Sequence, residues 1–214
     1  EGDMFWKFCQ NNWRLLEKIN RIKSENLQIG QKIKIPIACE KLVDYSPLPK
    51  FIKEVELLNQ FVLVDLENQF MAGYEYGVQK FWNPISSGLN NEQTPEGHRK
   101  RDARKFGYKY GQEFKTPVGY FKIGWKDRDH ISNIYAVAMP YSVLFTTVTT
   151  LTGENTYYFF HGGDIAGFPA SHGCIRMFNR DATFFYNWSK LDTPVLIVPK
   201  LKDIKAKLKL VKAP

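Results

Sequence analysis

One short stretch of the sequence gathers the residue types that nucleophilic catalysis needs. His161, His172 and Cys174 lie within 14 residues, and they include two of the four histidines in the chain. A thiol attacks a carbonyl carbon as the thiolate, so it needs a neighbouring base and hydrogen-bond donors that favour the anion. Gly173, before the cysteine, lets backbone N–H groups approach a reacting oxygen. The stretch therefore predicts a cysteine nucleophile with a histidine base.

Two other interpretations of these residues remain open. Cys174 could be an inert buried cysteine, with the histidines satisfying hydrogen bonds in the core. His161, His172, Cys174 and Asp164 could also bind zinc, because their side chains are of the right types. The zinc interpretation is weaker, since His172 and Cys174 are only two residues apart and no second cysteine supports them.

The elements that must position this stretch are predicted to be mostly β. A turn is expected at Leu66-Glu67-Asn68 inside an alternating stretch over 61–86. Helical spacing returns only after Asn179, which is expected to cap a helix over 180–191. Further strands are expected over 120–125, 134–139, 144–149, 157–160 and 193–198.

The first 36 residues are predicted to form a compact unit of their own. Two helical stretches, the second carrying Trp13, Leu16 and Ile19 at apolar spacing, precede a short strand over 32–35 that ends at Pro36. The two prolines of Ser46-Pro47-Leu48-Pro49 cannot lie inside a helix or a central strand, so that stretch is expected to be a linker or turn.

Composition and charge exclude several classes of protein. The 214 residues are 43% hydrophobic and 15% aromatic, which excludes a disordered or collagen-like chain. The formal net charge of +8 divides into +3 from residues 90–115 and +5 from residues 200–214, so the rest is neutral by count. The tail is expected to be a docked terminal helix, with contact to a membrane surface or anionic polymer as the alternative.

The sequence resembles the L,D-transpeptidase (YkuD-type) catalytic domain. Ser171-His172-Gly173-Cys174-Ile175-Arg176, with His161-Gly162 upstream, matches the family signature, and the matching elements extend over roughly 58–199. They include Phe61-Val62-Leu63-Val64-Asp65, Pro84-Ile85-Ser86-Ser87-Gly88, Thr116-Pro117-Val118-Gly119-Tyr120-Phe121 and Met139-Pro140-Tyr141.

A second resemblance covers the N-terminus. From Gly2-Asp3 through Asn20 to Gly30-Gln31-Lys32-Ile33-Lys34-Ile35-Pro36, the sequence is similar to a LysM module, whose fold is βααβ. The two resemblances imply a mostly β sandwich with one C-terminal helix, plus a small α+β module. The expected domains are a module over 1–37, a linker over 38–57, a catalytic domain over 58–199 and a basic tail over 200–214. Residues 90–115 are expected to be a surface loop inserted beside the cleft.

The resemblance also implies residue roles. Cys174 would be the nucleophile, His161 its general base, and the Gly162 carbonyl the group that orients the imidazole. His172, Gly173 and the N–H of Cys174 would line the oxyanion site. Ser171 and Arg176 would brace the loop or meet a substrate carboxylate. No cofactor or metal is expected.

The implied reaction is attack by Cys174 on the third-residue carbonyl of a tetrapeptide stem, followed by transfer to an amine. The amine would belong to another stem or to an envelope protein. Water as acceptor would make the protein an L,D-carboxypeptidase, and loss of activity would leave a glycan-binding wall protein. The expected partners are stem peptides and glycan strands of peptidoglycan, not nucleic acid. The expected location is the periplasm or cell envelope, where a disulfide between Cys9 and Cys39 is possible.

Overall fold

Two β-sheets stacked face to face form the body of the computed structural model, which describes residues 4–39, 42–149 and 153–208. The five-stranded sheet has the order β3-β2-β1-β9-β4, and the four-stranded sheet has the order β5-β6-β7-β8. The pairs β1–β9 and β7–β8 are parallel, and every other pair is antiparallel. The strands are β1 Phe61–Asp65, β2 Phe70–Glu75, β3 Val78–Pro84, β4 Gly119–Lys122, β5 Trp125–Asp127, β6 Ser142–Thr149, β7 Asn155–Gly162, β8 Ile175–Met177 and β9 Pro194–Val198.

Five α-helices accompany the sheets in the described part of the chain, together with short 3-10 turns. They are α1 Met4–Cys9, α2 Trp13–Asn20, α3 Glu96–Phe106, α4 Asn179–Trp188 and α5 Ile204–Leu208. None of the helices in the described ranges is long and apolar enough to cross a membrane. The mostly β fold class expected from the sequence is confirmed.

The five-stranded sheet is buried on both faces, which explains why every residue of β1 is apolar up to Asp65. One face carries Val62 and Val64 and packs on the four-stranded sheet and α4. The other face carries Leu63 and packs on the N-terminal segment, the stretch over 48–55 and α5. The stretch predicted to be a linker therefore contributes side chains to this second core, among them Leu48, Ile52 and Val55.

The hairpin turn predicted at 66–68 joins β1 and β2. Asp65 builds it, because its Oδ1 accepts the backbone N–H of Glu67 at 3.0 Å and its Oδ2 accepts the side-chain amide of Asn68 at 2.7 Å. An aspartate that satisfies the backbone two residues ahead stabilises a tight turn.

The N-terminal module has its two helices but lacks the predicted strand over 32–35. Within the described residues, no other strand pairs with that segment. Instead, the Asn20 side chain accepts the N–H of Lys34 at 2.7 Å and donates to its carbonyl oxygen at 2.9 Å. One side chain thus replaces a neighbouring strand. The Cys9–Cys39 disulfide is present and closes the module. Gly2-Asp3, which the resemblance included, lies outside the described residues.

The apolar segment predicted as one strand over 120–125 is divided between two sheets. β4 pairs with β9, whereas β5 pairs with β6. The chain crosses at Ile123 and Gly124, whose N–H groups donate to Thr193 O and Leu144 O, one in each layer. Alternation alone does not show such a crossing, because both halves keep a period of two.

Three further local predictions are wrong. The segment over 134–139 is not a strand: Ile134 is exposed, and the bridge between Ile131 and Ala138 closes a loop instead. Helix α4 begins at Asn179 itself, and Phe178 is its N-cap without a side-chain hydrogen bond. The segment over 90–115 is not only a loop, because it contains α3, whose polar composition gives no apolar periodicity.

The tail prediction of a docked terminal helix is confirmed for its described part. Ile204 and Leu208 of α5 are buried against the outer face of the five-stranded sheet. The rest of the tail, over 209–214, lies outside the described residues.

An ion pair buried to about nine-tenths joins α2 to the catalytic body. Lys18 Nζ lies 3.0 Å from Asp181 Oδ1 and donates to Asn83 Oδ1 at 2.7 Å and to Trp82 O at 3.0 Å. Burial raises the pKa of Asp181, and the Lys18 cation acts against that rise. The Lys18 cation therefore stabilises the buried Asp181 carboxylate, and this ion pair attaches the N-terminal module to the two-sheet body.

Replacing Lys18 by Met leaves the Asp181 carboxylate buried without its cation. We expect this change to lower the free energy of unfolding by about 3 kcal/mol in urea denaturation. Lys80→Met is the matched control, because its ion pair with Glu75 is about half exposed and should contribute less than about 1 kcal/mol. Equal stabilities of the two variants would show that the buried pair does not fasten the module.

Candidate active site

The residues of the signature meet in a cleft of about 1170 Å³. Its walls come from the ends of β7 and β8, the loop over 163–173 between them, the loop over 128–139, and α3. His161, Cys174, His172 and Arg176 all line it. Residues far apart in sequence therefore share one concave surface, the usual setting for a reacting site.

The parallel register of β7 and β8 brings the two predicted catalytic residues together. His161 pairs with Arg176 and Phe160 with Ile175, so Cys174 lies next to Phe159. Cys174 directly precedes β8, and extending the alternation of the strand by one residue puts its side chain on the same side as that of His161; both side chains line the cleft. Sγ of Cys174 accepts the N–H of Phe159 at 3.4 Å.

The buried imidazole of His161 is held in one orientation. Its Nδ1 lies 2.7 Å from the carbonyl oxygen of Gly162, which can only accept, so Nδ1 carries the proton and Nε2 is left as the base. Burial, together with the charges of Arg176 and His130, lowers the pKa of His161 to about 4, although the hydrogen bond to Gly162 acts in the opposite direction. His161 is therefore neutral and able to accept a proton at neutral pH.

The thiol of Cys174 is also neutral at rest. Burial raises its pKa to about 11, although the Phe159 N–H and the Arg176 cation favour the thiolate. No hydrogen bond joins Cys174 to His161 in the described part of the chain. The site accordingly contains a protonated thiol and an unprotonated imidazole, rather than a preformed ion pair.

Backbone geometry at Cys174 requires a glycine before it. Gly173 has φ +109°, and a Cβ there would lie 2.2 Å from the ring of Tyr158. The hydroxyl of Ser171 donates to Cys174 O and accepts the N–H of Gly173 at 3.1 Å. Ser171 thus spans the turn that presents Cys174.

Thr116 links this turn to the rest of the domain, a contact that sequence reasoning did not assign to the site. Its Oγ1 donates to Gly173 O at 2.7 Å and accepts the N–H of Gly88 at 2.8 Å. A Cβ at Gly88 would lie 1.9 Å from Phe114 O, so the three segments approach too closely for another residue there. Thr116 and Gly88 belong to two of the segments that resemble the family, and that resemblance was the feature of the sequence that could have pointed to this contact.

His172 is enclosed by four aromatic rings. It stacks on Tyr135 at 4.2 Å between ring centroids and meets the edges of Phe106, Phe114 and Tyr108. Burial lowers its pKa to about 4, and its Nε2 has no hydrogen-bond partner among the described residues. His172 is thus a neutral ring held against one wall of the cleft.

Arg176 has both a bracing contact and a free donor. Its backbone exchanges two hydrogen bonds with Ser86, at 2.9 and 3.0 Å, and its guanidinium donates to Ala170 O. Its Nε is buried and has no partner within the described ranges. Arg176 therefore holds the loop while keeping one N–H for another group.

Comparison with known proteins identifies the fold. The L,D-transpeptidase catalytic domain model (YkuD) matches residues 59–197, and the LysM domain model matches residues 3–36. The chain belongs to the L,D-transpeptidase catalytic domain family. Comparison with curated proteins finds no match.

Similar solved structures include one that supports the fold, at low sequence identity. An L,D-transpeptidase from Xylanimonas cellulosilytica (residues 123–326) is 21% identical, with a TM-score of 0.52 over 86% of this chain and 77% of that chain. L,D-transpeptidases from Stackebrandtia nassauensis and Mycobacterium smegmatis are 21% and 16% identical, each with a TM-score of 0.47. They cover 73% and 65% of this chain and 60% and 58% of their own, so the chain spans less than two thirds of their length.

The transpeptidase domain carries α3 as one wall of its cleft. His98, Asp102 and Phe106 lie four residues apart on the helix face that points inward. Asp102 is buried, its Oδ2 lies 3.1 Å from His98 Nε2, and Phe106 contacts His172. In the sequence, only the i, i+4 spacing of these three residues indicated a helix with one face toward the cleft. The charged residues between them made that spacing hard to recognise.

A second histidine outside the signature also lines the cleft. His130 Nδ1 lies 3.3 Å from Asp127 Oδ2, and its ring packs between Trp125 and Phe159. Residues 4–39, 42–149 and 153–208 contain no group of three His, Cys, Asp or Glu side chains placed to hold a metal ion.

Alkylation of Cys174 should report its protonation directly. Cys9 and Cys39 are joined, so Cys174 is the only free thiol of the chain. Because its pKa is raised to about 11, we expect the rate of reaction with iodoacetamide to rise about tenfold per pH unit from pH 7 to 10. The urea-unfolded protein should instead level off near pH 9. A plateau below pH 8 in the folded protein would show a thiolate–imidazolium pair.

Thr116→Val should destabilise the domain far more than Thr116→Ser. Valine leaves the buried Gly88 N–H and Gly173 O unpaired, at a cost of about 1–3 kcal/mol for each, whereas serine keeps both hydrogen bonds. Free energies of unfolding in urea measure the difference. A loss in Thr116→Ser as large as the loss in Thr116→Val would mean that the two hydrogen bonds of the hydroxyl contribute no more than the methyl group.

Proposed function

We propose that the protein is an L,D-transpeptidase that acts on peptidoglycan stem peptides. The observation that carries this proposal is that Cys174, directly before β8, and His161, in β7, line the same cleft, with Nδ1 of His161 fixed by Gly162 O. That arrangement supplies a nucleophile and a correctly oriented base within a domain of the matching family.

Acylation begins from the neutral pair. His161 Nε2 takes the thiol proton as Sγ of Cys174 bonds to the carbonyl carbon of the third stem residue. The tetrahedral intermediate then collapses, the C–N bond to D-Ala breaks, and His161 returns the proton to the leaving amine. The product of this half-reaction is a thioester on Cys174 and free D-Ala.

Transfer reverses the proton movements. The amine of an acceptor attacks the thioester and His161 accepts its proton. The C–S bond then breaks, and His161 returns that proton to the sulfur, which restores the neutral pair. An amine of a second stem gives a 3→3 cross-link, and an amine of an envelope protein gives attachment. Water in the same place gives a tripeptide.

We assign the remaining signature residues to the oxyanion site and to substrate binding. The turn of Gly173 and Ser171 sets the direction of the Cys174 N–H, which we assign to the oxyanion site beside His172. The free Nε of Arg176 is suited to a carboxylate of the stem, because it lies buried in the cleft without a partner in the described structure.

The LysM domain and the charge distribution support action at a cell wall. LysM modules bind glycans that contain N-acetylglucosamine, so the proposed partners are the glycan strands as well as the stems. We assign the protein to the cell envelope. The basic residues of α3 border the cleft, where they would contact an anionic envelope polymer rather than nucleic acid.

Incubation with tetrapeptide muropeptides, followed by mass analysis, tests the proposal. We expect cross-linked dimers and released D-Ala, with Cys174→Ser and His161→Gln each lowering turnover at least about 1000-fold. Lys53→Ala, at an exposed position outside the cleft, is the control. Tripeptides alone would identify a carboxypeptidase, and unchanged muropeptides with binding to glycan would identify an inactive wall protein. Full activity in Cys174→Ser would overturn the nucleophile assignment.

A further inference from the structure

The loop between His161 and Cys174 is held on both flanks by the catalytic domain. Ser86 Oγ accepts the N–H of Ala166 at 2.9 Å, and Thr94 Oγ1 donates to Pro169 O at 2.7 Å. Between these two points lies Gly167, with φ +78°. The contact that reaches Gly167 comes from the LysM domain.

Arg21 of the LysM domain makes that contact with both arms of its guanidinium. One NH2 group donates to Gly167 O at 2.7 Å, and the other donates to Asn68 O in the β1–β2 turn at 2.6 Å. The guanidinium also lies 4.5 Å from the centroid of the Phe70 ring. Because Arg is planar and forked, one side chain can join two carbonyl groups in a fixed geometry.

The backbone of Arg21 gives a second, independent indication. Arg21 ends α2 in the left-handed conformation, with φ 55° and ψ 36°. Glycine is the residue that adopts this conformation at the end of a helix without steric cost. An arginine there bears a strain that glycine would avoid, which points to a use for the side chain.

Helix α2 cannot move away from the body without breaking buried contacts. Leu15 is fully buried in the core on the outer face of the five-stranded sheet, and Lys18 is paired with Asp181. Lys23 adds an ion pair to Asp164 at 2.9 Å, although the Asp164 side chain is mostly exposed. The base of Arg21 is thus rigid, and its tip reaches the loop that precedes the nucleophile.

We propose that Arg21 is a positioning residue for the active site. Through Gly167 it holds the loop over 163–173, and that loop sets the approach of Cys174 to His161. The LysM domain is then a structural part of the catalytic unit, in addition to any glycan that it binds. This inference rests on the proposed function only for its kinetic consequence.

Two substitutions at one position separate positioning from stability. Arg21→Ala and Arg21→Gly both remove the guanidinium, but only glycine relieves the left-handed backbone, so the glycine variant should unfold at a higher temperature than the alanine variant. Arg14→Ala is the control, because Arg14 lies on the same helix, is exposed and contacts Trp13 instead of the loop.

We expect both Arg21 variants to lose about tenfold or more in kcat for muropeptide acylation, with KM little changed, and Arg14→Ala to keep the parent rate. Amide hydrogens over 165–170 should exchange about tenfold faster in both Arg21 variants. Parent-like kcat in both variants would overturn the proposal. So would a loss of activity that follows the unfolding temperature, with the glycine variant much less impaired than the alanine variant.

Amide hydrogen exchange tests the role of Arg21 separately from the proposed transpeptidase function. If the parent protein acts on no muropeptide, the proposed function fails and amide exchange alone decides the inference. Unchanged exchange over 165–170 in both Arg21 variants would then overturn the role of Arg21, and faster exchange would support it.

Discussion

The parallel pairing of β7 with β8 is the constraint on which the rest of the site depends. Two adjacent parallel strands require a connection that leaves one end of the sheet and returns to the other. Here the returning chain passes over the cleft as the loop over 163–173, so the connection itself becomes part of the site. The same register places His161 and Cys174 on the cleft face, while Phe160 and Ile175 enter the core.

The loop needs external support because its own backbone offers little. It contains no helix, and its one β-bridge joins Ser171 to Gly88. Side chains from four separate segments supply the support: Ser86, Thr94, Thr116 and Arg21 each bond to a backbone group of the loop. A loop held by fixed hydrogen bonds can present a thiol in one geometry, which proximity catalysis requires.

Burial decides the electrostatics of the reacting pair. A desolvated imidazole and a desolvated thiol both favour their neutral forms, so their pKa values move apart, to about 4 and about 11. Transfer of the proton from the Cys174 thiol to His161 is thus unfavourable until a substrate carbonyl lies against its oxyanion donors. The neutral resting state limits side reactions of the thiol, while the fixed Nδ1 of His161 keeps the base ready.

The sequence by itself determined the family, the nucleophile candidate and most strands, because these depend on local spacing and alternation. It could not show that 120–125 crosses between sheets, that 90–115 contains a helix, or that Asn20 replaces a strand for Lys34. Each of those depends on partners distant in the chain. The roles of Thr116 and Arg21 likewise follow only from tertiary structure, since a hydrogen bond to a carbonyl leaves no periodic mark in the sequence. The residue types of the motif can be recognised in a short stretch of sequence. The geometry that makes them reactive depends on strand register and packing between segments that are distant in the chain.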